Sequence, residues 1–272
     1  MPHDTAGDSR LQRVAGRHNA RLKELRQAFR RGELTPAGEC AIEGAKLVME
    51  AIGSGQRLGG VFFSESARPL AESLLPQIGA RVDLLVLPDS LFQATVPSDN
   101  PQGVAALVKV RPTSLAQLLE RAEVGPIVAA AGLQDPGNVG TILRSAEAFG
   151  AAGVVFLEGT VSPYNAKVLR GSAGSIFRLP VVRSTAAELI PQLRLHGARL
   201  LATSSHKGTP LPAAQWTLPL AVFIGNEGAG LGRDLMRQMD ETLVIPQVKE
   251  VESLNAGVAA SIVLYEAARQ RK

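Results

Sequence analysis

The second half of this chain uses one arrangement three times, and that arrangement sets the fold class. A short apolar run gives way abruptly to a segment of glycine, proline, amides and acids. Residues 127–131 (IVAAA) lead to Leu133-Gln134-Asp135-Pro136-Gly137-Asn138-Val139-Gly140, and residues 221–224 lead to Gly225-Asn226-Glu227-Gly228-Ala229-Gly230. Residues 243–245 lead to Pro246-Gln247-Val248-Lys249-Glu250-Val251-Glu252-Ser253-Leu254-Asn255. Apolar runs this short read as buried strands rather than helices. Helical periodicity lies between them, over 138–149 and, after the last loop, over 253–269. Strands alternating with helices define a layered α/β fold with a parallel sheet. In open sheets of that kind ligands bind beyond the carboxyl ends of the strands, so three polar loops at strand ends can build one pocket.

The first half alternates in the same way. Strands are predicted at 40–42, 61–63, 82–87 and 104–110, with helices over 43–52 and 70–75. Arg111-Pro112-Thr113 interrupts the pattern, which divides the chain into domains of residues 1–112 and 113–272. The second domain begins with a short helix over 115–121 and adds strands at 154–157, 177–182 and 200–203. In the last helix Leu254, Val258, Ile262 and Tyr265 share one face.

Charge is unevenly placed. Between Arg10 and Arg31 stand Arg10, Arg13, Arg17, Arg21, Lys23, Arg26, Arg30 and Arg31 against the single acid Glu24. Leu11, Val14, Leu22, Leu25 and Phe29 recur at helical spacing through the same segment, so it reads as one amphipathic basic helix ended by Gly32. Arginine forks suit phosphate, which makes this segment a candidate nucleic-acid contact. A solvated face in an arginine-rich chain, with 22 Arg against 7 Lys, would look the same. No apolar run approaches the roughly 18 residues of a membrane helix. The start of the chain, MPHDTAGDSR, lacks an apolar signal-peptide core. Cys40 is the only cysteine, and His3, His18, His196 and His206 are scattered, so no metal site is expected. A reducing cytoplasm fits this usage.

Each loop can be weighed against a bland explanation. Asn138 could cap a helix, and Arg144, six residues on, could be a surface arginine paired with Glu147. Ser253 could cap the last helix, which leaves Asn255 unexplained. Three glycines around Glu227 exceed what a plain turn needs and favour a ligand approaching the backbone.

In order and spacing the three segments resemble the SpoU/TrmH family of the SPOUT methyltransferases. The family's Asn and Arg six residues apart are matched by Asn138 and Arg144, its G-x-E-G-x-G by GNEGAG with Glu227, and its I-P-M…S-L-N by IPQVKEVESLN. One such match is weak; three in order over about 120 residues are specific. In the first half, IEGAKLVMEAI and NPQGVAALV look like the substrate-binding domain fused ahead of these enzymes. The resemblance implies a parallel sheet tied in a deep trefoil knot, an exception to the general avoidance of knots. It implies S-adenosylmethionine as cofactor, with Thr203, Gly225, Ile245 and Leu254 lining its pocket. It also implies a homodimer with the active site near the subunit interface. Arg144, Asn138, Glu227, Ser253 and Asn255 become the catalytic set, and Arg13, Arg17, Arg21, Arg26, Arg30 and Arg31 the RNA contacts. The implied activity is 2′-O-methylation of structured RNA, ribosomal before transfer RNA. Two positions depart from the pattern: Gln247 stands where Met is usual, and Lys249 where Gly is usual.

Two rivals remain at this stage. Strand 127–131, helix 138–149 and strand 154–157 ending at Glu158 imitate a nicotinamide-binding unit, although GLQDPGNVG is not G-x-G-x-x-G. A non-catalytic RNA-binding protein could keep the fold without the reaction.

Overall fold

The computed structural model describes residues 10–271 apart from 15, 17, 206, 227, 229 and 249. The chain divides into two compact units. The first comprises the described residues up to Arg111 together with Tyr164–Arg170; the second comprises Pro112–Pro163 and Gly171 onward.

The first unit contains β1 (Leu11–Arg13), α1 (Ala20–Arg31), β2 (Glu39–Glu43), α2 (Ala45–Gly53), β3 (Arg57–Ser64), α3 (Arg68–Leu74), β4 (Asp83–Leu87), α4 (Asp89–Gln93) and β5 (Val104–Lys109). Its five-stranded sheet runs β1-β4-β3-β5-β2. The β1–β4 and β4–β3 pairs are parallel, and the pairs made by β5 are antiparallel. Leu22 and Leu25 of α1 pack with Phe62, Leu85, Leu87, Phe92 and Leu107 into one core.

The single basic helix expected from residue 10 onward is two elements. Leu11, Gln12 and Arg13 pair with β4 as an edge strand, and the helix begins only after Asn19. The reason is local: the Asn19 side chain accepts a hydrogen bond from the Leu22 amide at 3.1 Å and so caps α1 there. Gly32, at φ +63°, supplies the left-handed residue that closes its other end.

The second unit contains α5 (Leu115–Leu119), β6 (Ile127–Ala130), α6 (Pro136–Ala148), β7 (Gly153–Phe156), α7 (Ala166–Gly171, shared with the first unit), β8 (Val181–Arg183), α8 (Ala186–Leu195), β9 (Arg199–Ser204), β10 (Thr209–Pro210), β11 (Leu220–Ile224), α9 (Arg233–Met236), β12 (Glu241–Val244) and α10 (Ala256–Gln270). Its seven strands run β10-β12-β9-β11-β6-β7-β8, every pair parallel. The central strands β6, β7 and β11 are buried throughout, as a sheet covered on both faces requires. Because all strands point the same way, the loops after β6, β9, β11 and β12 leave from the same edge.

Two expectations need correction. The strand predicted over 177–182 is confined to Val181–Arg183, and Ser175–Phe177 form a single tight helical turn. In α10 the face of Val258, Ile262 and Tyr265 is exposed, and the helix buries Ala256, Gly257, Ala260, Val263, Leu264 and Ala267 instead. Small residues face inward because α10 lies close against α6: a Cβ on Gly257 would come within 3.0 Å of the Thr141 side chain. Among the described residues no helix is long and apolar enough to cross a membrane. Nor does any group of three His, Cys, Asp or Glu stand ready for a metal.

Candidate active site

The first loop leaves β6 and turns into α6. Asp135, not Asn138, caps this helix: its Oδ1 accepts from the Asn138 amide at 2.8 Å, with Pro136 at the first helical position. That frees the Asn138 side chain, which is buried in the first turn and bonded to Asn255.

Asn255 has the capping role that the sequence offered to Ser253. Its Oδ1 accepts from the Val258 amide at 3.1 Å and starts α10, while its Nδ2 donates to Asn138 Oδ1 at 2.6 Å. Only an amide side chain can accept at one end and donate at the other in this way. Ser or Asp at the position would keep the cap and lose the tie. Ser145 and Ser261 join hydroxyls at 2.7 Å one layer further along the same helix pair.

The second loop closes on itself after β11. Asn226 N donates to Gly230 O at 3.2 Å and Gly230 N to Asn226 O at 2.9 Å. Gly225 has no room for a side chain, since a Cβ there would lie 2.5 Å from the Gly230 carbonyl carbon. Gly230, at φ +62°, needs the left-handed conformation rather than the space. Asn226 was not singled out from sequence, yet it links two loops: its Nδ2 donates to Gly132 O at 3.2 Å and its Oδ1 accepts from Gly228 N at 2.9 Å. Its position inside GNEGAG was the available signal. Glu227 lies outside the described residues, as do Lys249 and His206.

The third loop follows β12. Gln247, the departure from the expected methionine, donates from Nε2 to Ser205 O at 3.1 Å and so joins this loop to the one after β9. Thr203 at the end of β9 donates its hydroxyl to Phe223 O at 3.3 Å.

The loops after β9, β11 and β12 form a cavity of about 640 Å³, to which the expected loop after β6 contributes no lining residue. Thr203, Gly225, Ile245 and Leu254 all line it, with Ser253, Ser205, Leu231, Leu243 and Gln247. Asn138 is outside the lining but bonded to Asn255, the neighbour of Leu254. Arg144 is also outside the lining; it is exposed and has no hydrogen bond or ion pair among the described residues. Glu147 does not pair with it, because Arg178 holds that carboxylate from two guanidinium nitrogens. Burial pushes the Glu147 carboxyl up, but Arg178 and Ser175 more than offset this and leave it below the ordinary value.

The basic residues do not form one face. Arg13 is exposed on β1, and Arg17 lies outside the described residues. Arg21 turns inward: it pairs with Glu24 and, at 3.2 Å, with Glu39. Gly59 leaves the space for this pair, since its Cβ would strike both Glu39 and Arg21. Arg26 is half-buried, whereas Arg30 and Arg31, in the last turn of α1, are exposed, as is Lys23. Glu158 has a structural task as well, because its carboxylate accepts from the Ala186 amide at 3.1 Å at the start of α8.

A wholly parallel sheet with a loop-built cavity at one edge, preceded by a smaller α/β unit, is an architecture of RNA methyltransferases. The chain superposes on the crystal structure of an rRNA methyltransferase from Sinorhizobium meliloti with a TM-score of 0.81 and 27% identity, covering 96% of this chain and 98% of that one. It superposes on the SpoU methyltransferase AviRb from Streptomyces viridochromogenes, solved in complex with AdoMet, with a TM-score of 0.78 and 28% identity over 93% and 99% of the two chains. This protein belongs to the SpoU rRNA Methylase family, whose model matches residues 125–265. Residues 19–106 match the MRM3-like substrate binding domain. Among curated relatives, the 23S rRNA (guanosine(2553)-2′-O)-methyltransferase RlmP of Bacillus subtilis is 29% identical over 94% of this chain and 98% of its own. An uncharacterized tRNA/rRNA methyltransferase from Synechocystis is 31% identical over 97% and 96%. The family match and the carboxylate role of Glu158 remove the nicotinamide alternative.

Proposed function

We propose that this protein transfers a methyl group from S-adenosylmethionine to a ribose 2′-hydroxyl of ribosomal RNA. The observation that carries this reading is the convergence of the strand-end loops on one cavity, in a family whose solved members bind that cofactor. The lining fits such a ligand. Hydroxyls come from Thr203, Ser205 and Ser253, the space beside Gly230 is open, and Leu231, Ile245 and Leu254 offer apolar faces for a flat base. When bound, the cofactor supplies a methyl group on a sulfonium, a good leaving arrangement.

What the reaction still needs is a positioned, activated hydroxyl. Thr203, Gly225, Ile245 and Leu254 hold the donor side, which fixes the direction of attack. Arg144 acts on the acceptor side. Its guanidinium stays protonated at any working pH, so it serves by stabilising the developing alkoxide rather than by removing the proton. Asn138, Asn255 and Ser253 orient the ribose and its phosphate, and Glu227 of the GNEGAG segment belongs to the same catalytic set.

A second copy of the chain completes the site. The support is two exposed features of the packed helices α6 and α10: Arg144 on α6, unpaired among the described residues, and Val258, Ile262 and Tyr265 on α10, an apolar stripe that water would otherwise cover. Residues 1–112 capture the RNA and residues 113–272 carry out the transfer. Arg13, Arg17, Arg26, Arg30 and Arg31 supply phosphate contacts; Arg21 is withdrawn from that set because carboxylates engage it. The order of the second sheet, with β11 between β6 and β9 and β12 beyond β9, supports a chain threaded as a trefoil knot. The place of action is the cytoplasm, where ribosomes are assembled in bacteria.

Purified protein supplied with tritiated S-adenosylmethionine and separated ribosomal and transfer RNA tests the reading. Alkali-resistant label in ribosomal RNA is expected. Label in transfer RNA alone would reassign the substrate, and cofactor binding without turnover on either RNA would make the protein a non-catalytic binder.

A further inference from the structure

Gln247, which lines the cavity, carries a buried hydrogen-bond acceptor that no donor among the described residues uses. Its side chain is held by the bond from Nε2 to Ser205 O at 3.1 Å, across 42 positions of sequence. Its Oε1 is buried and has no partner among the described residues. The amide cannot be turned over, because Oε1 would then face the Ser205 carbonyl, acceptor against acceptor. The oxygen is therefore preset, on a side chain that lines the cavity with Ile245, Leu243 and Leu254. A buried amide oxygen without a donor destabilises the folded protein, and a ligand donor placed against it removes that cost.

Resting on the cofactor assignment above, we infer that Gln247 is a specificity-determining residue whose Oε1 accepts a hydrogen bond from the exocyclic amine of the adenine ring. The cofactor carries three kinds of donor. Its α-ammonium is a cation, for which a carboxylate rather than a neutral amide is the matched partner. Its ribose diol offers two adjacent hydroxyls, and a single oxygen answers only one. Its adenine amine lies at the edge of a flat apolar ring, and the apolar side chains around Gln247 suit that ring. A methionine at this position makes no such bond, so the amide adds discrimination at the base.

The test is equilibrium binding by calorimetry, with S-adenosylhomocysteine and S-inosylhomocysteine titrated into the full chain and into Gln247→Met. In the inosyl compound an oxygen replaces the amine. Wild type is expected to prefer the adenosyl compound by about 10- to 100-fold, the range for a buried acceptor gaining or losing its donor. In Gln247→Met the preference falls to within about threefold. A wild-type preference below threefold overturns the inference without any variant having to fold. So does a Gln247→Met preference equal to that of wild type. If wild type binds neither compound, the cofactor assignment falls and this inference falls with it.

Discussion

Substituting Gly225 by Ala should disable the cavity while leaving the fold in place. The added Cβ would lie 2.5 Å from the Gly230 carbonyl carbon, 2.6 Å from its oxygen and 2.7 Å from the Leu231 nitrogen. All three are backbone atoms, so no side chain can swing aside, and carbon contacts are comfortable only at about 3.5–4.0 Å. The loop must shift by roughly 1 Å, which opens the two backbone hydrogen bonds between Asn226 and Gly230. Overpacking costs about 1–3 kcal/mol and each of the two lost bonds about 1 kcal/mol, so the total is ~3–5 kcal/mol. Drawn from binding, that is about 150- to 5,000-fold in affinity for S-adenosylhomocysteine. Two neighbouring glycines provide the scale. Gly230→Ala has open space but a φ of +62°, a conformation that costs an L-residue about 1–2 kcal/mol, so about a 5- to 30-fold loss follows. Gly228→Ala meets nothing nearer than 3.6 Å and should bind within about threefold of wild type. Calorimetric affinities for the three variants, with thermal melts to confirm folding, decide the matter. Near-normal binding by a folded Gly225→Ala, or a larger loss at Gly228 than at Gly225, would refute the geometry.

Further outcomes follow from the same structure. Asn255→Ser should keep the cap on α10 and lose only the tie to Asn138, about 1 kcal/mol, while Asn255→Ala loses both, about 2 kcal/mol; thermal melts should fall by ~2–4 °C and ~4–8 °C. Arg144→Ala should slow single-turnover methyl transfer by about 10²–10³, with cofactor affinity unchanged because Arg144 is outside the cavity lining. Neutralising Arg30 and Arg31 together should weaken RNA binding and lower the slope of log affinity against log salt by about 2. Hydrogen bonds from Arg269 and Gln270 hold the Glu266 carboxyl at about 2, below the ordinary 4.5. Its contribution to stability is therefore present above pH 4.5 and lost as pH falls toward 2. Melts of Glu266→Gln between pH 6 and 2.5 should show a flatter acid decline than wild type.

The sequence was most legible where chemistry repeats. Apolar runs ending in glycine and proline marked β6, β11 and β12; the loops after β11 and β12 line the cavity with the one after β9, whereas the loop after β6 is connected to it only through the bond between Asn138 and Asn255. It was least legible where a local cap overrules periodicity. Leu11 and Val14 keep step with a helix, yet pairing with β4 and the Asn19 cap make residues 11–13 a strand. No element was expected between 183 and 199, because Pro191 interrupts a pattern that the Thr185 cap and buried Leu189, Ile190 and Leu193 nonetheless hold as α8. The last helix misled in another way: the apolar face of Val258, Ile262 and Tyr265 is exposed, while Val263 and Leu264 are buried together with small residues that permit the close approach to α6. Individual side chains showed the same limit. Composition announced a basic segment, but not that Glu24 and Glu39 would engage Arg21, nor that Asp135 would relieve Asn138 of capping.

The cavity wall contributed by Leu243, Ile245, Gln247, Ser253, Leu254, Ala256 and Ala259 is synthesised after β6, β9 and β11. During translation β6, β9 and β11 can be laid down early, but a nascent chain halted before Leu243 has a floor without its closing side. Competence to take up the methyl donor therefore arrives only when the terminal helix docks through Asn255. Deletions that reach residues 243–259 should open the cavity, whereas deletions confined to residues 10–111 remove none of its lining.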